Sequence, residues 1–462
     1  MVRYARMHAP TIVWLRQDLR LADQPAFAAA AAEGPVVPLY VLDDATPGAW
    51  AMGAAQRWWL HHSLAALAGD LAAVGAPLVL RRGRAADEVM RLAAESGAKR
   101  VHALRQYEPW WQKAEEELGQ RLDLVLHDGL LLASPRQIRT RQGGRYRIFT
   151  PFWRALLDQM PPATPLPAPH ALAGFGSAVR SENLDDWRLL PTRPDWAAGF
   201  AGWMPGEAGA LQRLDALAER IAGYDKDRNL PSLDGSSRLS PHLHFGEVSP
   251  ATVWHAAQAA EGDATPYLRE IGWRDFAANM IDQFPALGDA NGRDSFDRMP
   301  WRSGDDATRD FVAWTRGLTG YPIVDAGMRE LWATGWMHNR VRMLAASFLV
   351  KHLLIDWRRG ARWFWDTLVD ADYGNNSVNW QWIAGSGVDS NPFGRIMAPL
   401  AQSAKFDAAD YIRRWVPELA ELREDAIHDP HAAECRPPHY PAPLIGHREA
   451  RARALEAAGA VR

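Results

Sequence analysis

The chain has 462 residues, 47% of them hydrophobic and 23% charged, a composition typical of a folded protein with room for roughly two or three domains. Its formal net charge of -3 excludes an overall basic field, so a nucleic-acid partner would have to be held by a local patch or recognised by its shape. The single cysteine, Cys435, excludes an intramolecular disulfide, and without a signal-peptide core or an apolar run of about 18 residues we expect a cytoplasmic protein with no membrane span.

Residues 10–132 predict an α/β domain. Short β-branched runs alternate with alanine-rich stretches at helical spacing, such as 54–74 and 85–97. This alternation favours a Rossmann-like parallel sheet with helices on both faces. No G-x-G-x-x-G follows the first strand, which argues against a nicotinamide dehydrogenase. The predicted strands are residues 11–15, 36–42, 77–81, 100–104 and 122–126.

Residues 133–206 predict an inter-domain linker, because the stretch 160–206 is rich in proline, alanine and glycine. After this linker the β-branched alternation disappears, and arginine, tryptophan, leucine and alanine recur at helical spacing. We therefore expect residues 207–455 to form an all-α second domain.

The first cluster of polar residues precedes a predicted helix. Ser240 followed by Pro241 is typical of a helix start, with a capping hydroxyl and proline at the first helical position. Ser236, Ser237 and Arg238 would place hydroxyls, backbone N–H groups and a guanidinium beside the positive helix end, where a phosphate or pyrophosphate can bind. The alternative is an ordinary capped helix with a surface arginine, and this cluster alone slightly favours that alternative.

Two further clusters have polar groups at helical spacing. Glu270 and Trp273 are three residues apart, so a carboxylate and an indole can share one helix face. Asn339 and Met343 are four residues apart, with Arg342 to the side of them. Taken alone, the first pair is more often packing plus a solvated charge. The second is more often an amphipathic core helix with methionine as a gap filler.

A fourth cluster lies in the stretch 368–382. Asp370 and Asp372 form an acidic pair that usually marks a helix cap or a surface turn, and we expect no metal because no histidine or cysteine cluster accompanies them. The motif NWQW follows. In a helix Trp380 and Trp382 would point about 200° apart, so the two rings would serve different neighbours.

Long contiguous motifs then identify a family. The motifs are WLRQDLRLADQPAF (14–27), TGYPIVDAGMRELWATGWMHNRVRM (319–343), DWRRGARWFW (356–365) and NWQW. On these the chain closely resembles the photolyase/cryptochrome family, and within it the bacterial class I cyclobutane pyrimidine dimer photolyases. The resemblance extends to residue 419. It implies an N-terminal α/β domain and a helical domain that binds FAD in a U shape and also binds DNA.

The resemblance implies a reduced, non-covalently bound FAD. Arg342 is expected to pair with Asp370 beside the flavin ring, Asp372 to accept a hydrogen bond from the ring, and Asn376 to face its N5 atom. A neutral amide at that place suits an enzyme that keeps the reduced flavin anionic. The expected FAD-binding residues are Tyr224, Ser236, Ser237, Arg238, Leu239, Ser240, Arg342, Asp370, Ala371, Asp372 and Asn376.

The resemblance also implies a pocket for a pyrimidine dimer flipped out of DNA, in which indole faces stack on bases and polar groups meet their edges. The expected pocket residues are Glu270, Trp273, Asn339, Met343 and Trp382, with Arg228, Arg340 and Gln402 at the DNA-facing rim. A relay of tryptophans would carry electrons between the surface and the flavin in short hops. Its expected members are Trp380, Trp357 and Trp301, for which the alternative is a role as core aromatics. With this relay we expect Glu270, Asn339, Met343 and Asn376 to serve catalysis.

Three stretches depart from the family pattern. Asp275 stands where glutamate is usual, and residues 393–406 differ from the common form of the substrate rim. Trp110 and Trp111 replace the polar residues with which folate-using relatives hold an antenna. A folate antenna is therefore unsupported, and the choice between a deazaflavin, another second chromophore and none stays open.

The resemblance thus implies a light-dependent DNA repair enzyme that transfers an electron from reduced FAD to the dimer. A cryptochrome-type photoreceptor and a (6-4) photolyase are the alternatives. The first usually has a C-terminal extension or an altered pocket, and the second would need a pair of histidines over the lesion, where this chain has Asn339 and Met343. The expected partner is DNA with pyrimidine dimers. We expect a monomer with no obligate protein partner.

Overall fold

The computed structural model describes residues 9–176, 179–390, 393 and 396–461. Its N-terminal part contains a five-stranded, fully parallel sheet in the order β3-β2-β1-β4-β5, which confirms the predicted α/β class. In the central strand, Thr11 is in register with Val36 on one side and Arg100 on the other. The strands are β1 Thr11–Leu15, β2 Val36–Leu42, β3 Val79–Arg82, β4 Arg100–Leu104 and β5 Asp123–His127.

Helices cover both faces of this sheet. Alternate residues of β1 point to opposite faces, so Ile12 packs into one apolar cluster and Val13 into another, and both are fully buried. The helices that follow the strands are α1 Pro25–Glu33, α2 Ala54–Ala73, α3 Ala85–Ser96 and α4 Pro109–Gly119. The loops after the strands therefore meet at the carboxyl edge of the sheet, where parallel α/β folds usually bind ligands.

The range 133–206 is more ordered than its composition suggests. It contains helix α5, Phe149–Leu157, whose side chains Phe149, Phe152 and Leu156 are buried in the same cluster as helices of the second half. The rest of the range has short 3₁₀ turns and two isolated β-bridges among its described residues. The proposed linker boundaries stay a prediction.

From residue 207 onward the described residues form helices and no strand, as predicted. A five-residue π-helix, Phe348–His352, continues directly from helix α13, Asn339–Ser347. None of the helices in the described residues is long and apolar enough to cross a membrane. The helices are α6 Glu207–Ala218, α7 Tyr224–Asp227, α8 Ser240–His244, α9 Pro250–Ala259, α10 Thr265–Gln283, α11 Gly304–Thr315, α12 Pro322–Thr334, α13 Asn339–Ser347, α14 Trp357–Thr367, α15 Tyr373–Ala384, α16 Pro399–Lys405, α17 Ala409–Trp415, α18 Glu424–Ile427 and α19 His447–Gly459.

Buried polar contacts join the two halves. Nε1 of Trp59 on α2 donates to Oε1 of Glu247 at 2.9 Å, and the other carboxylate oxygen of Glu247 lies 2.5 Å from His242 on α8. The buried guanidinium of Arg20 donates to the carbonyl of Gly246 at 2.9 Å. Because these groups are buried, leaving any of them unpaired would cost stability. The contacts therefore fix the carboxyl edge of the sheet against the helical half.

Candidate active site

An arginine–aspartate salt bridge borders the candidate site. On α13, Nη1 and Nη2 of Arg342 donate to the two carboxylate oxygens of Asp370 at 3.1 and 2.8 Å, and Nε donates to the carbonyl of Met337 at 2.7 Å. The Asp370 side chain is only 2% exposed, whereas that of Arg342 is 22% exposed. Such a bidentate salt bridge fixes the plane of the guanidinium. It forms as the sequence predicted, and α13 is thereby tied to the segment that precedes α15.

Asp372 caps the helix that contains the NWQW motif. Its Oδ1 accepts the backbone N–H of Asn375 at 2.7 Å, which satisfies one of the free donors at the start of α15. Burial raises the pKa of Asp372, but His244 and the N–H bond lower it more, so the pKa lies below the ordinary value. Asp372 is therefore an ionised acceptor at a helix N-terminus.

Two buried groups beside Asp372 were not identified from the sequence. His244 on α8 has its Nδ1 3.8 Å from Oδ2 of Asp372, and both of its ring nitrogens are buried without a hydrogen-bond partner in the described structure. Glu108, from the loop after β4, is also buried, and this burial together with the nearby Asp372 raises the pKa of Glu108 to about 7. The α/β half thus contributes a titratable carboxyl to this site.

Asn376 lies one helical turn beyond the cap. It is 9% exposed, and its Nδ2 donates to the carbonyl of Ala361 at 3.0 Å. That bond fixes the amide and leaves its oxygen for another partner. Ala371, between the two aspartates, is buried.

The serine segment 236–240 differs from its prediction in one respect. Ser240 is the first residue of α8 rather than its cap, the cap position is Leu239, and no side chain caps this helix. Nε of Arg238 donates to Asp234 at 3.1 Å, and its guanidinium lies 4.8 Å from the Trp336 ring. A small recess beside this segment is lined by Arg213, Ala216, Leu217, Arg220, Gly235, Ser236 and Ser237. Two guanidinium groups and two serines thus border one concave surface, a donor set that suits an anion.

The predicted pocket residues of α10 are engaged by neighbours. Nη1 of Arg228 donates to Oε1 of Glu270 at 2.6 Å, and the Arg228 guanidinium lies 5.5 Å from the ring of buried Tyr224. The Trp273 ring stacks on Phe149 of α5 with 3.5 Å between centroids and 8° between planes. Helix α10 therefore presents the carboxylate of Glu270 and the indole of Trp273, whose ring is held by stacking on Phe149.

Two predicted pocket residues, Asn339 and Met343, lie on α13. The predicted rim residues Arg340 and Gln402 lie on α13 and α16. Asn339 is exposed at the start of α13, while Met343 and Gln402 are half-buried. Arg340 lies with its guanidinium 4.6 Å from the Phe406 ring, and its Nη1 is 3.9 Å from the sulfur of Met343. The structure thus links α13 to the end of α16 through one arginine.

The two rings of NWQW face different surroundings. Trp380 is 3% exposed and lies 5.0 Å from Phe364 and 6.4 Å from Trp314, measured between ring centroids. Trp382 is half-buried at the edge of the same core cluster. Between them, Nε2 of buried Gln381 donates to two backbone carbonyls at 2.6 and 2.9 Å. The separation of the two rings follows from helix geometry, as predicted.

The other predicted relay residues belong to the same core cluster. Trp357 is fully buried, and its Nε1 donates to Oδ1 of Asn291 at 3.0 Å, while Trp301 packs at the edge of the cluster. The tryptophan ring that lies beside Trp380 is Trp314, also fully buried, which sequence reasoning did not single out. The order of the relay stays a prediction.

Asp275 has a structural explanation. It is fully buried on α10, and its Oδ2 accepts the backbone N–H groups of Leu132 at 2.9 Å and Ala133 at 3.3 Å. Burial raises its pKa to about 7. The shorter aspartate therefore ties the segment after β5 to the helix that contains Glu270. Among the described residues, no group of three histidine, cysteine or acidic side chains could hold a metal ion.

Comparison with known proteins gives matches over nearly the whole chain. Residues 267–460 match the family described as the FAD binding domain of DNA photolyase, and residues 11–170 match the family described as DNA photolyase. A deoxyribodipyrimidine photo-lyase of Agrobacterium fabrum is 47% identical over an alignment that covers 98% of this chain and 98% of that protein. Cryptochrome-2 of Arabidopsis thaliana is 36% identical, over 92% of this chain but only 73% of its own length.

A solved structure supports the same relationship. The crystal structure of a bacterial class III photolyase from Agrobacterium tumefaciens is 46% identical, with a TM-score of 0.94 over 100% of this chain and 99% of that chain. The expected placement in class I is therefore not retained.

Proposed function

Because this chain belongs to the photolyase/cryptochrome family, we propose that it is a deoxyribodipyrimidine photo-lyase, which repairs cyclobutane pyrimidine dimers in DNA under light. The observation that carries this proposal is the 47% identity to a photo-lyase over 98% of both chains. The cryptochrome relative matches over only 73% of its length and at lower identity, so it supports a photoreceptor less well.

FAD is the cofactor, since residues 267–460 match its binding domain. The site fits it chemically: the buried His244 nitrogens lack a partner among the described residues, and the Arg342–Asp370 pair and Asp372 are fixed nearby. Reduced FAD, when bound, supplies on absorbing light the electron that splits the dimer. We expect non-covalent binding, so denaturing the protein should release all of its yellow colour. Colour retained on the chain would contradict this.

The chain's own residues bind and orient this cofactor. The Ser236–Ser240 segment with Arg238 would hold the pyrophosphate, and Tyr224 would pack behind it. Asp372 would accept from the ring edge, while the fixed amide of Asn376 would place a neutral group at N5. Because an amide is far too weak an acid to protonate N5, it would help to keep the reduced ring anionic. The protein's task here is positioning and electrostatics rather than acid–base chemistry.

The dimer pocket would be built on α10, α13 and α15. Trp273 and Trp382 offer indole faces for stacking, and Glu270 offers a carboxylate to the polar edge of the dimer. Asn339 and Met343 would line the remaining wall. Outside this pocket, Arg228, Arg340 and Gln402 would contact the DNA backbone, which positions the duplex without reading its sequence.

A specific observation disfavours a (6-4) photolyase. His338, the histidine of this helix start, is 3% exposed and accepts the backbone N–H of Arg340 through its Nδ1 at 3.2 Å. Burial lowers the pKa of His338 to about 4, so the ring is neutral at physiological pH. It acts as a helix cap and would not supply a proton to a lesion.

The relay of Trp380, Trp357 and Trp301 would reduce oxidised flavin from the surface. What supports it is the burial of the first two rings in one hydrophobic core cluster.

We further propose a cytoplasmic monomer that needs no protein partner. A second chromophore is left unassigned. The two tryptophans that stand in place of folate-holding polar residues pack against other protein rings: the centroid of Trp110 lies 4.8 Å from that of Tyr373, and the centroid of Trp111 lies 6.0 Å from that of Trp14.

A lesion panel tests the function. The purified, FAD-loaded and chemically reduced protein is illuminated with oligonucleotides that contain a cyclobutane dimer, a (6-4) photoproduct or no damage, with dark controls. We expect loss of the cyclobutane dimer in the light only. Repair of the (6-4) lesion alone, or of neither lesion by protein that retains FAD, would contradict the proposal.

A further inference from the structure

We propose that residues 136–147, the arginine hairpin, form a second DNA-contact surface that binds backbone phosphates beside the dimer pocket. This inference rests on the proposed function and adds to it a part of the chain that the family motifs left aside. The sequence RQIRTRQGGRYR contains five arginines and no acidic residue. Such local basic density contrasts with the net charge of -3 of the whole chain.

The hairpin is an ordered structure. Arg139 and Arg145 form an antiparallel bridge, and the backbone N–H of Thr140 donates to the carbonyl of Gly144 at 2.9 Å. Gly143 has φ of +80°, the left-handed conformation that a tight turn needs and that glycine adopts without strain. The arginine side chains therefore project from a defined turn.

One acidic residue anchors the hairpin to α10. Asp282 accepts from Arg136 at 2.7 Å and from Arg145 at 2.8 Å, and Arg145 also donates to Oδ1 of Asn279 at 3.1 Å. Burial raises the pKa of Asp282, but the two arginines outweigh it and hold the pKa below its ordinary value. These two arginines are consequently structural, and Asp282 offsets one of their two positive charges.

The other three arginines are different. Arg139, Arg141 and Arg147 are exposed, and within the described part of the chain no carboxylate lies within 4.0 Å of them. Exposed charge is most often merely solvated, and such faces usually mix both signs. Here three unbalanced positive groups share one anchored turn, which is the footprint expected of a phosphate-binding surface.

The hairpin is continuous with the proposed pocket. It leads into α5, whose first residue, Phe149, stacks on Trp273 at 3.5 Å. Along α10, Trp273 and Asp282 are about 13.5 Å apart at about 1.5 Å per residue. That corresponds to about four phosphates at about 3.4 Å of duplex axis per phosphate on one strand. A flipped dimer at Trp273 would thus place the backbone a few nucleotides away within reach of the hairpin.

The test compares two triple variants of the FAD-loaded protein. Arg139→Gln/Arg141→Gln/Arg147→Gln removes the exposed hairpin charges. Arg121→Gln/Arg448→Gln/Arg451→Gln removes three exposed charges from the amino edge of the sheet and from α19. Dissociation constants for dimer-containing and undamaged duplexes are measured across salt concentrations.

The slope of log affinity against log salt is negative. We expect the hairpin variant to make it shallower by about 2 to 3 for both duplexes, because each lost phosphate contact removes about 0.9 from its magnitude. The control variant should leave the slope unchanged. A third variant with lysine at the three hairpin positions should keep the wild-type slope, because neutralisation needs only charge. Equal slopes for the hairpin and control variants would overturn the inference.

Duplex length provides a second readout. On one side of the dimer, trimming the duplex to fewer than about four base pairs should erase the difference between wild type and the hairpin variant. A difference that persists after trimming on either side would contradict the placement. Failure of the proposed function would look different: the wild type would not repair dimers in light, yet its salt slope on undamaged duplex would still depend on the hairpin.

Discussion

Arg228 donates from Nη1 to Oε1 of Glu270 at 2.6 Å, with side chains that are 21% and 33% exposed. The pair links α10 to the segment after Tyr224, and thus the proposed dimer pocket to the proposed cofactor site. Because one carboxylate oxygen is already paired, the other is oriented and remains available to a ligand. In the proposed pocket, Glu270 would therefore be oriented as an acceptor before DNA binds.

Replacing Glu270 by alanine should weaken binding of dimer-containing DNA by about 10- to 150-fold, since losing a hydrogen bond to a charged group costs about 1.5–3 kcal/mol. FAD content should not change. Fluorescence titration against dimer and undamaged duplexes measures the effect, with Glu449→Ala on α19 as an exposed control. Unchanged discrimination between the two duplexes would mean that Glu270 is only a surface charge.

Trp380 and Trp382 should fail in different assays. Trp380→Phe should block light-driven reduction of oxidised FAD by an external reductant, yet spare repair once the flavin is reduced chemically. Trp382→Ala should leave photoreduction intact and weaken dimer binding, since a stacked base contributes about 1–3 kcal/mol. Trp332→Phe, at a ring that is 54% exposed, serves as a control. Identical defects in both assays would make the pair simply core.

Gly360 shapes the notch in which Trp380 lies. A Cβ at this position would approach the Trp380 ring to 2.2 Å and Leu349 to 2.6 Å. Gly360→Ala should therefore destabilise the protein by about 1–3 kcal/mol through overpacking. Gly69→Ala, in α2 with nothing within 4 Å of the new Cβ, should instead stabilise it by about 0.5–1 kcal/mol. Thermal unfolding followed by circular dichroism measures both, and equal shifts would contradict the account.

Lys351 should make stability depend on pH. It is 2% exposed in the π-helix, with Nζ 3.4 and 3.3 Å from the carbonyls of Ala384 and Phe393, and burial, with Arg293 adding, lowers its pKa from 10.5 to about 7. Between these values the unfolded chain binds more protons than the folded one. The free energy of unfolding should therefore rise with pH in that window, by up to about 1.4 kcal/mol per unit.

Lys351→Met provides the comparison for this effect. The difference in unfolding free energy between wild type and variant, measured by denaturant titration from pH 7 to 10 (roughly the window set by the two pKa values), should change steadily in favour of wild type. A constant difference would mean that Lys351 stays charged in the folded protein.

The sequence predicts some levels of this structure better than others. Strand β1 and its neighbours are found within about two residues of their predicted bounds, because a buried parallel strand needs an uninterrupted apolar run. Helix α5 was missed because its neighbourhood is rich in proline, although Phe149, Phe152 and Trp153 pack on the helical core. Local composition does not show that a segment will be covered by a distant one.

Within the site, the pair of Arg342 with Asp370 that the family motifs imply is present. Glu108 and His244 could not be found in the same way, because their meeting beside Asp372 depends on how the sheet edge docks on the helical half. Similarly, the chain has 22 tryptophans, and only coordinates show that Trp314 is the one beside Trp380. A sequence gives a side chain's chemistry, whereas its neighbours depend on long-range packing.

Repeated turnover tests the central claim most directly. Chemically reduced, FAD-loaded protein is mixed anaerobically with an excess of dimer-containing oligonucleotide, illuminated, and analysed for restored pyrimidines and for the flavin spectrum. Because the electron returns to the cofactor, we expect many dimers repaired per protein in the light, none in the dark, and a flavin that stays reduced. Repair that stops at one dimer per protein while the flavin becomes oxidised, or no repair by protein that binds both FAD and dimer DNA, would contradict the account.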